Sequence, residues 1–472
     1  MSEVGQAEGE TALEDDAGEA RGGSSGGRAV VLVGNPASPY SRGLRVARAL
    51  AGAGFSVEIA AVSAAGLPDR ETDGPVTIRR YAPSGAYRSM AASYRDPGAV
   101  ADVTGSGRRP FLGRAPRAAA AALRRWLFWP HTVRGWWATL DRELEPADLY
   151  HACGSLTVAA ALAARRRSPQ GPSGRPARVI YDAIDDVIGS NNMVGVPGPV
   201  RSWFARRERS WARSADARTT VNDALAERLD RRWGMGSPLV VPNHPALPSI
   251  LPGATRDLIR ERTGLPATAR IVLFQGRLGP NLGLDETAEA VLLVPDAAFV
   301  VVGFGRWAER SVARDREPRF VGRHFTLPAV HPDALPAWTA SADVSVIPLA
   351  PVSANQRLSS PNKFWESIIV GTPVVLGPGL PVMEVLVREH GLGRVAASLA
   401  PGDLAAAISE LLDRSAPERA ADRERIAILA REKFSWPATA AGYLELVATM
   451  TVGSDAAGRP GSRPGPTAPS GR

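Results

Sequence analysis

The sequence predicts two doubly wound α/β domains in series, and three observations carry that expectation. At 472 residues the chain exceeds what one hydrophobic core usually supports, about 250–300 residues. Short apolar runs alternate with helical stripes in two separate series, one opening near residue 28 and one near 269. That is the pattern of parallel strands covered by helices on both faces. A Pro-rich crossover over 244–268 lies between the series, placing the domain boundary near Pro242 and Asn243.

The first series opens with the apolar run Val30–Val33, broken by Gly34, Asn35 and Pro36. Leu44, Ala47, Leu50 and Ala51 then mark one face of a helix that Gly52 and Gly54 end, and Phe55–Ile59 is the next strand. After an Arg-, Pro- and Gly-rich insertion over 84–140, strands are expected at Asp148–Ala152, Val179–Asp182 and Ala217–Val221, with helices near 155–166, 200–213 and 222–233. The second series gives strands at Ile271–Phe274, Ala298–Val302, Val344–Ile347 and Pro373–Leu376, then helices at 402–413 and 417–432. The expected limits are a first domain over 28–242, a second over 243–435, and a last helix over 436–451 that returns to the first. Residues 1–27 (acidic, then Gly/Ser) and 452–472 (Gly, Pro, Ser and Arg) lack the apolar residues to join a core and are expected to be disordered.

The net charge of +8 comes from arginine: of 56 basic residues only Lys363 and Lys433 are lysine. Such a balance suits anionic ligands, or reflects an Arg- and Ala-rich coding bias. A single cysteine, Cys153, excludes an intramolecular disulfide and a Cys/His zinc cluster, and points to a reducing, cytoplasmic compartment. No basic start precedes an apolar core, and no apolar run reaches the 18 or so residues needed to span a bilayer. Within the insertion, residues 108–140 combine Arg117, Arg124, Arg125 and other arginines with Trp126, Trp129, Trp136 and Trp137. That mixture suits a helix lying on the anionic inner face of the plasma membrane, or a helix packed on its own domain. A nucleic-acid partner is not indicated, because the arginines are not interleaved with any reading motif.

The most informative stretch is residues 359–375. Ser360 suits an N-cap and Pro361 the first helical position. Asn362, Lys363 and Glu366 then project from one face, with Phe364 and Ile368 turned to the core. The lysine and the helix start suit phosphate, and the carboxylate can accept both hydroxyls of a ribose diol. Gly371, Thr372 and Pro373 return the chain to a strand, putting these residues at a strand's carboxyl edge, where open α/β sheets bind ligands. An ordinary amphipathic helix with a surface ion pair has the same spacing.

The run Pro-Asn-Lys-x-x-Glu over 361–366, with Gly-Thr-Pro-Val-Val over 371–375, resembles the nucleotide-sugar segment of the retaining GT-B glycosyltransferases with a Glu-x7-Glu signature, the family 4-like group. The similarity runs collinearly through Ser41–Val46, Ser214–Leu225, Phe274–Leu278, Val300–Gly305, Ala342–Pro348 and Phe434–Trp436. The resemblance implies a GT-B fold, two Rossmann-like domains facing across a cleft, and transfer of a sugar from a UDP-, GDP- or other NDP-sugar, with retention. The acceptor would belong to a surface polysaccharide, a glycolipid (lipid-linked acceptors included) or a natural product. It implies no metal and no cofactor, because arginine, lysine and a helix start stabilise the leaving diphosphate.

By position, the resemblance assigns donor binding to Gly276, Arg277, Pro361, Asn362, Lys363 and Glu366. Arg277 would meet the diphosphate and Glu366 the ribose, while Gly34 and Asn35 form the loop facing the transferred sugar. No catalytic residue is identified outright; His151 and Asp182 are the candidates, and a satisfied structural histidine is the competing reading of His151. Asp185 and Asp186 either cap the following loop or touch acceptor. Besides Ile184, which replaces the histidine of a common Tyr-Asp-Ala-His and marks either a subgroup or decay, three positions depart from the pattern: Leu358 stands for the first Glu of the signature, Leu282 for a diphosphate-binding cation, and Cys153 for the second histidine of His-x-His. Arg306, Arg323 and Arg357 are the candidates to replace the missing cation. A noncatalytic homologue that binds or activates a partner transferase is the alternative these departures raise.

Overall fold

The computed structural model describes residues 27–38, 41–84, 133–249, 257–305 and 307–452. Residues 1–26, the insertion from 85 to 132, Arg306 and the tail after 452 lie outside the described residues.

Eight strands build the first sheet: β1 (Arg28–Val33), β2 (Ser56–Val62), β3 (Arg70–Asp73), β4 (Val76–Tyr81), β5 (Leu149–Cys153), β6 (Arg178–Asp182), β7 (Ala217–Thr220) and β8 (Leu239–Val240). Their order is β3-β4-β2-β1-β5-β6-β7-β8, parallel except for the β3–β4 hairpin at one edge. The central strands are apolar on both faces because both are covered. On β1, Val30 and Leu32 pack with the helix Ser155–Arg167 and Trp233, while Ala29, Val31 and Val33 meet the helix Ser41–Gly52. The last helix, Trp436–Val452, contributes Trp436, Tyr443 and Val447 to this second layer, so it lies on the first domain.

The second sheet holds β9 (Arg270–Arg277), β10 (Ala297–Phe304), β11 (His324–Pro328), β12 (Val344–Ile347), β13 (Val374–Leu376) and β14 (Gly393–Val395). All run parallel, in the order β11-β10-β9-β12-β13-β14. The same alternation recurs: Val272 and Phe274 of β9 join one core layer, Ile271 and Leu273 the other.

Several elements differ from the sequence expectation. The β3–β4 hairpin carries Arg70, Glu71, Asp73, Arg79 and Arg80, and a charged edge ribbon has no apolar run to announce it. Strands β8, β11 and β14 are also short edge or near-edge strands. Part of the Arg/Trp-rich insertion packs on its own domain. A helix over 133–143 buries Trp136, whose Nε1 donates to the Ala61 carbonyl at 3.2 Å, and Trp137 donates to the Leu156 carbonyl at 2.8 Å. Trp136 is thereby buried and Trp137 partly buried against the first domain.

The chain crosses between domains through His244, which is 6% exposed between Trp365, Phe434 and Thr439. Burial, reinforced by the Arg45 charge, holds its imidazole down at about 4. The native protein thus stays unprotonated there while the unfolded chain takes up a proton below about pH 6.5. Stability from this residue is complete above pH 6.5 and is lost as pH falls towards 4, by about 3 kcal/mol. Glu208 and Glu366, pushed up by burial, act in the opposite sense, so the comparison with His244→Phe is the readout. Denaturant melts at pH 7 and pH 4.5 should show a smaller acid loss in the variant; equal losses would refute the assignment.

Candidate functional site

The carboxyl ends of β9 and β10 meet the short helix Asn362–Ile368 at one corner of the second domain. Gly276 (φ +110) takes a left-handed backbone that side chains rarely adopt, and the nearest atoms to its missing Cβ are Cε and Nζ of Lys363, 3.8 Å away. Gly303 on β10 is pressed against it: a Cβ there would lie 2.1 Å from the Gly276 carbonyl oxygen. Next in the chain, Arg277 is exposed and has no ion-pair partner among the described residues.

Lys363 folds back over Phe274, its ammonium 3.5 Å from the ring centroid. Burial pulls this amine down to about 7, against the opposing pull of Glu366. Glu366 Oε2 accepts from Gln275 Nε2 at 3.0 Å, and Gln275 Oε1 accepts from Thr339 Oγ1 at 2.6 Å. Burial raises the Glu366 carboxyl, offset in part by Arg45, Gln275 and Lys363. Sequence reasoning missed Gln275 and Thr339, which hold Glu366 from behind; Gln275 in an otherwise apolar strand was the signal. Opposite Glu366, a cavity of about 620 Å³ runs to Ser41, Arg45 and Arg48 of the first domain.

The start of the helix differs from expectation by one residue. Pro361 (φ −61, ψ 135) is the N-cap and Asn362 the first helical residue. Ser360 does not cap: its Oγ accepts from Asn222 Nδ2 of the first domain at 2.8 Å. Asn362 reaches across to Ser41 Oγ at 3.3 Å. In the first domain, Gly34 is exposed after β1, and Asn35 Oδ1 turns the loop by accepting the Ala37 N–H at 2.8 Å.

His151 and Asp182 lie elsewhere. Both are fully buried within the first domain. Arg42 Nε and Nη2 grip the two Asp182 oxygens at 2.7 Å, and Thr219 adds a hydroxyl at 2.8 Å. His151 Nε2 stands 3.4 Å from Asp182, and its Nδ1 meets the Tyr443 hydroxyl at 3.0 Å. Burial pushes the Asp182 carboxyl up, but Arg42, joined by His151, outweighs it and holds the group well below the usual carboxylate range. His151, Cys153 and Asp182 have donor atoms within 4.8 Å of one another. The Asp182 oxygens and His151 Nδ1 face protein partners, His151 Nε2 makes no hydrogen bond among the described residues, and neither side chain reaches solvent.

The three departures also acquire places. Leu282 is half-buried against the second domain's core. Leu358 crosses to pack on the first domain's core, and its carbonyl accepts Asn222 Nδ2 at 2.8 Å. Cys153 is buried as a free thiol. Arg323 does not serve as a replacement cation: its guanidinium is spent on the carbonyls of Ala297, Val291 and Val294, at the amino end of β10. Arg306 lies outside the described residues. Arg357 is exposed on the segment between β12 and the Lys363 helix, on the side of the sheet that carries Arg277. Asp186 caps its own loop, accepting the Gly189 N–H at 2.9 Å and pairing with Arg228 and Arg232. Asp185 accepts Asn355 Nδ2 across the domains at 2.8 Å.

Residues 269–414 match the family of glycosyl transferases group 1. D-inositol 3-phosphate glycosyltransferase 2 of Catenulispora acidiphila is 29% identical over 248 residues, 49% of this chain and 56% of its own. The chain spans about half the length of the curated relatives it matches. Among solved structures, sucrose-phosphate synthase from Thermosynechococcus elongatus superposes with a TM-score of 0.60 at 19% identity, covering 90% of this chain and all of that one. Anabaena HepE, solved with UDP and glucose, gives 0.56 at 14%, again over 90% of this chain and all of that one. The fold is GT-B. No helix among the described residues is long and apolar enough to cross a membrane.

Proposed function

We propose that the protein transfers a glycosyl group from a nucleotide-sugar donor to an acceptor, with retention at the anomeric carbon. The carrying observation is the corner where Glu366, oriented by Gln275, Lys363 and Arg277 surround the glycine backbone of residue 276. In this reading the Glu366 carboxylate accepts the ribose hydroxyls, while Lys363 and Arg277 take the diphosphate. As the glycosidic C–O bond breaks, charge grows on the leaving phosphate and the preorganised cations stabilise it. Arg357 supplies the cation that Leu282 does not. The solved likeness bound to UDP supports a uridine donor as the first to try. Titration calorimetry with UDP, GDP, ADP and dTDP should find one tight binder. Glu366→Ala should weaken it by roughly 1.5–3 kcal/mol, the scale of a charged hydrogen bond. Unchanged affinity in a folded variant would end the ribose role.

The alternative reading, a noncatalytic partner of another transferase, draws on Leu282 and Leu358, both of which have become packing residues. Slow release of free sugar from the bound donor by the purified protein supports the enzyme; binding without any turnover, restored by no acceptor, supports the partner.

For the membrane, the reading rests on the arginines and aromatic residues of 108–132, since Trp136 and Trp137 pack inward. An acceptor on the first domain's side of the cleft would then be lipid-linked. Flotation on anionic but not neutral vesicles, weakened by salt and by changing Arg117, Arg124 and Arg125 to glutamate, is the expected result. Binding indifferent to lipid charge would move the acceptor into solution.

A further inference from the structure

A basic pocket lies at the amino end of the second sheet, the edge away from Gly276. Strands β12, β13 and β14 begin there, at Val344, Val374 and Gly393, and the helices Pro401–Leu412 and Ala416–Lys433 complete its walls. The enclosed volume is about 150 Å³. Arg394, Arg414, Arg419, Arg423 and Arg425 line it, against two carboxylates, Asp343 and Asp422.

Those carboxylates are already committed. Asp422 pairs with Arg414 and lies 3.5 Å from Arg425. Asp343 accepts from Arg260, an arginine outside the lining, at 2.7 Å and from the Ile271 N–H at 2.8 Å. Arg394 reaches outward to the exposed Glu410 at 2.6 Å. With Arg260 and its second partner Asp257, and with Glu410, included, six guanidiniums face four carboxylates. Arg419 has only carbonyl partners, Leu412 and Arg414, among the described residues. Arg423 leans on the carbonyls of Ala342 and Ala340, at 2.6 and 2.7 Å, and on the Thr372 hydroxyl at 3.5 Å. Burial disfavours its charge, Asp343 offsets this only in part, and Arg260 adds a smaller repulsion. Convergent guanidiniums with unspent N–H groups match the tetrahedral oxygens of phosphate. Pockets that take drug-sized molecules run to roughly 300–1,000 Å³, so this one is scaled for a single oxyanion and excludes a nucleotide sugar.

We propose that this pocket binds a small oxyanion, either inorganic phosphate or the phosphoryl end of a phosphomonoester. The site is separate from the nucleotide corner, and its test does not depend on the donor reading. The full chain is titrated calorimetrically with phosphate at constant ionic strength, with methyl phosphate in parallel. Arg414→Gln combined with Arg419→Gln should weaken phosphate roughly ten-fold or more, the loss of one or two charged hydrogen bonds. Arg277→Gln should leave it unchanged. Equal binding of methyl phosphate assigns the site to phosphomonoesters as well as free phosphate; rejection of it confines the site to free phosphate. No phosphate binding at matched ionic strength, undiminished binding in the folded double variant, or loss in Arg277→Gln instead would each overturn the proposal. Should the double variant melt early, Arg394→Gln is the substitute: its side chain pairs with an exposed glutamate, and the same weakening is required of it.

Discussion

Arg42→Met is expected to destabilise the protein by about 3–5 kcal/mol, the cost of leaving a buried carboxylate without its counter-charge. Asp182 has no exposed surface and Arg42 almost none, so water does not replace the lost guanidinium. Arg42 also donates to the Val241 carbonyl at 2.9 Å, which ties the start of the inter-domain crossover to β6. The pH dependence should change sign. In the native protein the Asp182 carboxyl is depressed, so its contribution is present above the unfolded pKa of about 4 and is lost as pH falls through the lower folded value. Without Arg42, burial raises that carboxyl instead, and acid relieves the buried charge. The deficit of the variant should therefore be greatest near pH 7 and shrink towards pH 4.5 in denaturant titrations. Arg42→Met combined with Asp182→Leu should recover much of the loss, since a well-packed apolar pair can replace a buried ion pair. A deficit under 1 kcal/mol, or one independent of pH, would contradict this account.

Lys363→Met is expected to lower donor turnover by about 10²–10³-fold, as for removal of one group from a preorganised oxyanion site. It should also reveal itself through pH. With the free amine held at about 7 by burial, the ammonium predominates below that value and affinity for a nucleoside diphosphate is flat there. Above it, binding must first protonate the amine, so affinity should fall about ten-fold per pH unit until the raised pKa of the complex is reached. In the methionine variant this slope should vanish, whereas Arg277→Gln should keep it at lower affinity. A wild-type affinity that stays level between pH 6 and 8.5 would remove Lys363 from the diphosphate.

Both domains were legible in the sequence because their central strands are buried on two faces and so read as unbroken apolar runs: Val30–Val33, Ile271–Phe274 and Ala298–Val302 coincide with parts of β1, β9 and β10. The edges were not legible, since β3 and β4 alternate charge with a half-buried face. At the candidate site, helical spacing placed Lys363 and Glu366 on one side, but nothing local announced Gln275, 91 residues from its partner Glu366, or Thr339, 64 residues from its partner Gln275. His151 and Asp182 illustrate the converse. A histidine and an acid at strand ends carry the same signal whether they face a cleft or an arginine, and only the packing of the helices Ser41–Gly52 and Trp436–Val452 decides. Arg323 failed as a replacement cation for a similar reason, because neighbouring carbonyls at the amino end of β10 claim it.

The return of the last helix has a consequence for biogenesis. Trp436, Tyr443 and Val447 complete a layer whose other members come from residues 29–241, and Tyr443 supplies the hydroxyl that His151 Nδ1 needs. Synthesis proceeds from the amino terminus, and domains generally fold in that order as they emerge. Here the nascent first domain leaves the ribosome with one apolar face open and a buried histidine unpartnered. The second sheet and its flanking helices, which draw on residues 258–433 alone, can close before the first domain is finished. Maturation thus runs in reverse of translation for the outer layer of the first domain. Until residue 447 has emerged, that face is a surface for holding chaperones, and a first domain expressed alone as 28–242 should be recovered mainly as aggregate.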